Sequence, residues 1–385
     1  MKIPQQIEPS NKIDWVLYFL KLGAIGFGGP IALIGYMQEH LVEKKRWVTL
    51  QDYIQGIAFS ELSPGPLATK LAMYLGWIRF GTLGATMIGI AFVLPSFLII
   101  IPISILYIHF GDIESVRGVF YGVGAAIIAI ILKSAFKIAK ITIAKEKILW
   151  LIFVINGGMT LWNTSFTIYL FIASGLLMCM INSPSKLNNF HTHVLIPWPY
   201  LFLSGISGIP KLALFIKIAL YFAWAGTFIF GSGLAIIPFL HSGVVEEYHW
   251  LTERQFLDAI AIAIATPGPA TITVAFIGYL VGGFVGALLA AMGIFLPSYL
   301  FVVLLAPFYH RYASKPAVKN FIKGATSAAA GAIAGAALLL SKGSIVDLPT
   351  LAIFLVTLLI ITTTQKIPDI FLIIIAGLTG FLIKF

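Results

Sequence analysis

The chain has 385 residues, of which 59% are hydrophobic and only 10% are charged, and its mean hydropathy is +0.98. Soluble domains carry roughly 25% charged residues, so this composition excludes a soluble globular protein and indicates one that resides in a lipid bilayer. A net charge of +10 would suggest a nucleic-acid partner in a soluble protein. Here the lysines flank apolar stretches, so membrane topology explains them and no nucleic acid is expected.

Apolar stretches of about 18 or more residues recur from one end of the chain to the other. Residues 1–12 lack the basic stretch and the cleavage site of a secretory signal, so the first stretch is predicted to be retained as a span. The stretches include residues 13–37, 83–108, 116–132, 212–240, 284–307 and 318–340. We therefore predict an all-α, polytopic integral membrane protein.

The second half of the chain repeats motifs of the first half at a constant offset. Phe27-Gly28-Gly29 recurs as Phe230-Gly231-Ser232, and Ser63-Pro64-Gly65-Pro66 recurs as Thr266-Pro267-Gly268-Pro269, both 203 residues later. Beyond the second Pro-Gly-Pro segment the offset is 202, as Leu94-Pro95-Ser96 and Leu296-Pro297-Ser298 show. We predict a first membrane repeat over residues 1–181, a linker over 182–210 and a second membrane repeat over 211–385.

Charges in equivalent loops indicate that the two repeats have opposite orientations. Residues 112–117 of the first repeat hold two acids and one arginine, whereas the equivalent residues 311–323 hold four basic side chains. One loop later the bias reverses, because residues 133–147 hold five lysines and one glutamate, and residues 342–347 hold one lysine and one aspartate. Since Lys and Arg concentrate in short cytoplasmic loops, we predict inverted-topology repeats of the kind found in secondary transporters.

The second apolar segment of the first repeat, residues 51–79, is interrupted by Ser63-Pro64-Gly65-Pro66. Each piece has about 12 residues, roughly half of the length needed to cross a bilayer. We predict a re-entrant helical hairpin, which leaves about five transmembrane helices in each repeat. In the alternative topology this segment crosses fully and residues 196–209 add a thirteenth crossing; that topology also inverts the halves.

Each Pro-Gly-Pro segment is predicted to end one helix and to begin another, because proline lacks an N–H and disfavours helical geometry in the residue before it. Pro66 and Pro269 suit the first position of the new helix. Free N–H groups at that helix start carry about half a positive charge and form an anion site. The predicted substrate-binding residues are Ser63, Pro64, Gly65, Pro66, Thr69 and Lys70 at the first break and Thr266, Pro267, Gly268, Pro269 and Thr271 at the second.

Three further features of the sequence carry predictions or open alternatives. Gly28, Gly29, Gly231 and Ser232 either break the first span of each repeat, as part of the substrate site, or let two helices approach closely. The Pro-Gly-Pro segments have a structural alternative, a kink that eases packing.

Glu61 and Lys70 flank the first break within an apolar segment, where ionisable groups are costly. Lys70 is expected to bind the anion and Glu61 to accept a coupling proton, with a structural ion pair as the alternative.

No motif of an enzyme occurs in the sequence. There is no His-Glu-x-x-His helix, no Gly-x-x-x-x-Gly-Lys loop and no Gly-x-Ser-x-Gly turn, so we predict no catalytic residue, no metal site and no cofactor. The single cysteine, Cys179, excludes a disulfide framework. Lys133, Lys137 and Lys140 share one helical face and are interpreted as contacts to lipid headgroups.

Several motifs of the chain resemble the chromate ion transporter family in its two-domain, long-chain form. In the first repeat they are Phe27-Gly28-Gly29-Pro30 and residues 61–66, 71–77 and 92–96; in the second they are the equivalent residues 266–269 and 295–298. The resemblance implies a membrane protein that exports chromate across the bacterial inner membrane and confers chromate resistance, with sulfate as the related oxyanion. Lys70 departs from the family pattern, which more often has an uncharged polar residue such as Gln there. Transport of sulfate or another anion, a passive anion channel and a homodimeric assembly are left open.

Overall fold

The structure is a computed structural model. It describes residues 11–27, 29–143, 146–182, 210–229, 233–308, 315–364 and 367–384. These residues contain 14 α-helices, joined in places by short 3-10 and π-helical segments, and no β-strand. The helices are α1 (Lys12–Ile25), α2 (Gly29–Met37), α3 (Leu50–Leu62), α4 (Leu67–Phe110), α5 (Glu114–Ile143), α6 (Lys147–Trp162), α7 (Thr167–Asn182), α8 (Pro210–Gly226), α9 (Ile237–Leu240), α10 (Glu253–Ala265), α11 (Thr273–Leu305), α12 (Pro316–Ser344), α13 (Leu348–Thr363) and α14 (Asp369–Lys384). The predicted all-α fold is confirmed.

Among the described residues, four helical stretches are long and apolar enough to cross a bilayer: Leu67–Phe110, Glu114–Lys140, Ala270–Phe308 and Pro316–Ser344. Large apolar side chains such as Leu98 stand exposed on their outer faces, where hydrocarbon tails would cover them. The chain is therefore a multi-pass membrane protein. Helices α6, α7, α13 and α14 have 16 residues each, fewer than the roughly 20 needed for a perpendicular crossing, so the number of crossings per repeat stays a prediction.

The first break lies at the tip of a helical hairpin. Thr49 caps the start of α3 by accepting a hydrogen bond from the N–H of Asp52. Beyond the break, the first arm of α4 runs back along α3, so that the rings of Phe59 and Tyr74 stack with centroids 4.8 Å apart. The structure thus contains the two short antiparallel pieces predicted around Ser63-Pro64-Gly65-Pro66. Re-entry of this hairpin into the membrane stays a prediction.

Each long helix reverses direction a short distance beyond its break. The backbone leaves helical geometry at Phe80 and Gly81 in α4, and at Gly282 and Gly283 in α11. The two arms then pack closely; in α4, Gly76 lies against the backbone of Gly84. As a result, residues 67–79 form a short helix between two turns, and residues 82–110 form the long arm.

The first helix of each repeat is interrupted. In the first repeat α1 ends at Ile25 and α2 begins at Gly29; in the second, α8 ends at Gly226 and helical turns resume at Gly233. These interruptions favour the alternative in which the glycine motifs break the first span of each repeat. They do not favour the alternative in which the glycines only let two unbroken helices approach closely. Of the residues predicted there, Gly28, Gly231 and Ser232 lie outside the described residues, as does the stretch 196–209 of the alternative topology.

The two halves of the chain are interlocked. Helix α5 of the first half packs against α14 of the second, where Gly122 lies against the backbone of Ala376. Equivalently, α12 packs against α7, where Gly324 lies against the backbone of Ser174. Neither half buries its own last helices alone, and the largest core cluster contains residues of both halves.

The equivalent helices α5 and α12 run antiparallel. Gly124, near the start of α5, lies beside Ser344 at the end of α12. At the other end, Lys323 near the start of α12 pairs with Glu146, just beyond α5, at 2.7 Å. Antiparallel packing of equivalent helices is what inverted repeats require. The inverted orientation itself stays a prediction, which this packing supports.

Replacing Gly331 by alanine is expected to destabilise the interface between α12 and α6. A Cβ there would overlap the carbonyl oxygen of Phe153, and overpacking costs about 1–3 kcal/mol. Gly158 on α6 has open space where a Cβ would stand, so Gly158→Ala is the matched control and is expected to be neutral or stabilising. Thermal unfolding of the detergent-solubilised variants measures the difference; equal melting temperatures would contradict this packing.

Candidate functional site

A cavity of about 520 Å³ reaches both Pro-Gly-Pro breaks. Leu67 lines it from the first break, and Thr266, Gly268 and Ala270 line it from the second. The interruptions of the two first helices also reach it, through Gly26, Phe27, Gly29, Pro30, Gly233 and Leu234. The structure therefore brings residues of both repeats together around one space.

At each break a new helix starts beside the cavity. Pro66 precedes the first residue of α4, and Pro269 precedes a 3-10 turn, Ala270–Ile272, that leads into α11. Both prolines have extended backbone, with ψ of 124° and 121°, and occupy the N-cap position of the helix that follows. They lie one residue before the helical position that we predicted. Because Leu67 and Ala270 line the cavity, the unpaired N–H groups of two helix starts lie near it.

Each break is held by the opposite half of the chain. The N–H of Gly65 donates to the carbonyl of Ile229 at 2.6 Å, and the N–H of Gly268 donates to the carbonyl of Gly26 at 2.8 Å. Both the donors and the acceptors are equivalent positions under the offset of 203 residues. The two bonds are therefore a symmetric pair that ties each break to the interrupted first helix of the other repeat.

A serine from the opposite half packs against each of these glycines. A Cβ on Gly65 would overlap Oγ of Ser298, and a Cβ on Gly268 would overlap Oγ of Ser96. Both serines are fully buried. Ser96 donates to the carbonyl of Gly23 at 3.3 Å, whereas the Ser298 hydroxyl has no hydrogen-bond partner among the described residues. The sequence showed the repeated Leu-Pro-Ser motif but no sign of these contacts.

The four hydroxyl-bearing residues predicted at the two breaks fall into two groups. Ser63 and Thr266 donate to the carbonyls four residues earlier, at 3.0 and 2.6 Å, so their hydroxyl hydrogens are used within the helices that end there. Thr69 and Thr271 lie in the first turn after each break, fully buried. Neither hydroxyl has a hydrogen-bond partner in the described part of the chain. An unsatisfied buried hydroxyl is costly, yet neither threonine is among the residues that line the cavity.

Lys70 lies at the first break with its side chain fully buried. Its ammonium group donates to the carbonyls of Ser60 and Ser63 at the end of α3. Glu61, by contrast, is exposed and lines the cavity. Within the described ranges no ion pair joins Glu61 and Lys70, so the structure does not show the alternative of a structural ion pair. Of these two residues, Glu61 lines the cavity and Lys70 contacts helix carbonyls instead.

Basic side chains form one wall of the cavity. Lys133 and Lys137 on α5 and Lys323 on α12 line it, together with the acidic Asp369. The sequence favours contacts of Lys133, Lys137 and Lys140 with lipid headgroups. The structure places Lys133 and Lys137 on the cavity wall, and Lys140 is not among the lining residues. Helical spacing predicts a common face for the three lysines, but which of them line the cavity depends on the packing of α5 against the second half.

The other predicted residues complete the surroundings of the site. Pro64 and Pro267 are buried at the two breaks, and Gly29 lines the cavity. Among the residues that the structure describes, no group of three or more His, Cys, Asp and Glu side chains could hold a metal ion. The site combines helix starts, hydroxyls and lysines, which are groups that bind anions, with two carboxylates, Glu61 and Asp369, on the cavity wall.

Comparison with known sequences identifies the family. The model of the family described as chromate transporter matches residues 13–180 and again residues 216–381, and each segment contains one Pro-Gly-Pro break. The chain belongs to the chromate transporter family. This confirms the resemblance drawn from the motifs.

Relatives that match over more than nine-tenths of their own length support the assignment. The chromate transport protein of Cupriavidus metallidurans is 47% identical over 95% of this chain and 91% of its own. A probable chromate transport protein of Synechococcus elongatus is 44% identical over 94% of this chain and 93% of its own. The chromate transport protein of Pseudomonas aeruginosa is 28% identical over 95% and 91%. No solved structure matches the chain.

Proposed function

We propose that this member of the chromate transporter family is a secondary active transporter that exports chromate across a bacterial inner membrane and so confers chromate resistance. The observation that carries the proposal is the single cavity onto which helix starts from both repeats open, at Leu67 and Ala270. The names of relatives at 44% and 47% identity supply the substrate.

A tetrahedral dianion suits the groups around this cavity. Each helix start carries about half a positive charge, so two of them offer about one charge in total. The hydroxyls of Thr69 and Thr271 lie in the same first turns without a partner in the described residues. Both are buried and neither lines the cavity, so the proposal requires each break to move before they donate to the anion. Sulfate has the same shape and charge as chromate, and these groups do not distinguish the two.

In this proposal Lys70 and Glu61 have different roles. Carbonyls at the end of α3 give that end a partial negative charge, which would repel an anion at the break. The Lys70 ammonium binds these carbonyls and offsets the repulsion from behind the site. Glu61, facing the cavity, is the candidate acceptor of a coupling proton. Ile264 occupies the equivalent position of the second repeat, so coupling would involve the first repeat alone.

Alternating access follows from the proposed inverted repeats. The cavity wall of α5 belongs to the lysine-rich region 133–147, which the distribution of positive charge assigns to the cytoplasm. The structure would then represent a state open to the cytoplasm. Exchange of the conformations of the two repeats would close this cavity and open an equivalent one on the opposite side. No ATP-binding partner is implied.

Uptake of labelled chromate into inverted membrane vesicles tests the proposed function. Because the cytoplasmic face is outside in such vesicles, we expect uptake above that of vesicles without the protein. Uptake driven by an imposed pH gradient with the electrical potential clamped at zero would indicate coupling to protons, and competition by excess sulfate would show that the site accepts tetrahedral dianions in general. Uptake that merely follows the chromate gradient and electrical potential would favour a passive anion channel. No uptake with correctly inserted protein would contradict the proposal.

A further inference from the structure

The lysines of the cavity wall occupy one continuous face of α5. Lys133 and Lys137 are one helical turn apart, and Ile130, Ser134, Ile138 and Thr142 line the cavity on the same face. Lys323 also lines the cavity but is paired with Glu146 at 2.7 Å. Neither Lys133 nor Lys137 forms an ion pair with any residue that the structure describes. Their charges are therefore available to an anion that enters the cavity.

The second repeat has no counterpart of this basic face. At the offset of 202 residues, Lys133 corresponds to Gly335 and Lys137 to Leu339, both on α12. Gly335 is buried, with its α-carbon against the carbonyl of Gly157 and the side chain of Thr160. The equivalent face of α12 is thus closed by helix packing where the α5 face is open, and it carries no charge at these two positions.

We propose that Lys133 and Lys137 form a capture site for the oxyanion on one side of the membrane only. The inference rests on the proposed function and on exchange of the two repeats during transport. When the opposite side opens, Gly335 and Leu339 take the places that Lys133 and Lys137 hold in this state. The anion then meets an attractive wall as it enters and an uncharged wall as it leaves.

The consequence is a difference in apparent affinity between the two sides. Clefts in which one sign of charge dominates raise the local concentration of a counter-ion by about tenfold or more. Glu61 and Asp369 also line this cavity and oppose part of the attraction, while Lys133 and Lys137 lie together on one wall. The charged wall would lower the KM for chromate on the cytoplasmic side, and its absence would speed release on the other. The driving force still determines the direction of net transport, while the asymmetry of charge favours loading from inside.

The double variant Lys133→Gln/Lys137→Gln tests the capture site. In inverted vesicles we expect the KM for chromate to rise about tenfold with Vmax largely retained, because the residues attract the ion and do not form the cradle at the breaks. Lys140→Gln is the matched control: it lies on the same helix, one turn further on, is exposed, and is not among the residues that line the cavity. It should leave the KM unchanged. Protease access to a C-terminal tag verifies that both variants keep their orientation.

Two further measurements separate charge from structure. The KM of the unmodified protein should rise with ionic strength, since salt screens the attraction, and that of the double variant should rise much less. In right-side-out vesicles the double variant should exchange chromate at its outer face with the KM of the unmodified protein. An unchanged KM in inverted vesicles, or an equal rise on both faces, would overturn the one-sided capture site. If the unmodified protein itself moves no chromate, the proposed function fails instead.

Discussion

Replacing Gly65 or Gly268 by alanine is expected to abolish chromate transport. Both glycines have positive φ angles, +109° and +93°, in a region where a side chain costs about 1–2 kcal/mol. The added Cβ would also overlap the serine Oγ of the opposite half. To relieve the overlap, the break would have to move away from the serine and lose its hydrogen bond to Ile229 or Gly26. Initial uptake into inverted vesicles, at matched protein levels, measures the loss.

The contact between the halves provides a specific rescue. Gly65→Ala combined with Ser298→Gly should recover part of the transport, because the overlapping serine is removed while the unfavourable φ remains. Gly65→Ala combined with Ser96→Gly should recover nothing, since Ser96 packs against the other break. Gly35→Ala, at a helical glycine with open space, is expected to be silent. Equal rescue by both serine variants would contradict the cross-packed arrangement.

Replacing Lys70 by methionine is expected to reduce transport at least about tenfold. Methionine fills a similar volume but leaves the carbonyls of Ser60 and Ser63 without their donor, and each unsatisfied buried group costs about 1–3 kcal/mol. The end of α3 would then present its negative charge to the site. Vmax for chromate in inverted vesicles and the melting temperature of the purified variant measure the two effects.

Lys70→Gln distinguishes hydrogen bonding from charge. Glutamine can still donate to a carbonyl at the end of α3, so we expect stability closer to that of the unmodified protein than with Lys70→Met. It has no charge, so transport should still be reduced if the ammonium offsets the repulsion. Lys342→Gln, at an exposed position, serves as the control for loss of a lysine. Full transport by Lys70→Met would remove this residue from the proposed site.

Sequence patterns predicted the positions of the two breaks but not the use of each side chain at them. Ser63 and Thr266 were expected to donate to the substrate, yet their hydrogens bond the carbonyls one turn earlier. A Ser or Thr hydroxyl within or at the end of a helix can bond the carbonyl four residues earlier, but the motif alone does not show whether it does so. Thr69 and Thr271, in the first turn after each break, are predicted as binding residues, and their hydroxyls have no partner among the described residues.

The charged residues show a similar division. Glu61 and Lys70 were conspicuous in the sequence because ionisable groups are rare in apolar segments. In the structure the Glu61 carboxylate lines the cavity and the Lys70 ammonium is buried. This difference depends on how the two helices of the hairpin are rotated relative to the cavity. Lys133 and Lys137 were expected at the membrane surface, because a lysine near the end of a span is usually found there. Their place on the cavity wall depends on neighbouring helices from the other half.

The sequence by itself determined the membrane environment, the duplication and the two helix breaks, because hydropathy, repeated motifs and proline chemistry act locally along the chain. Only the tertiary structure decided that Gly65 and Gly268 are held by the opposite half, that both helix starts open onto one cavity, and that one of its walls is basic. These features join residues far apart in the chain, and they arise from the interlocked packing of α5, α7, α12 and α14. Such contacts depend on where whole helices lie relative to one another, which no local pattern specifies.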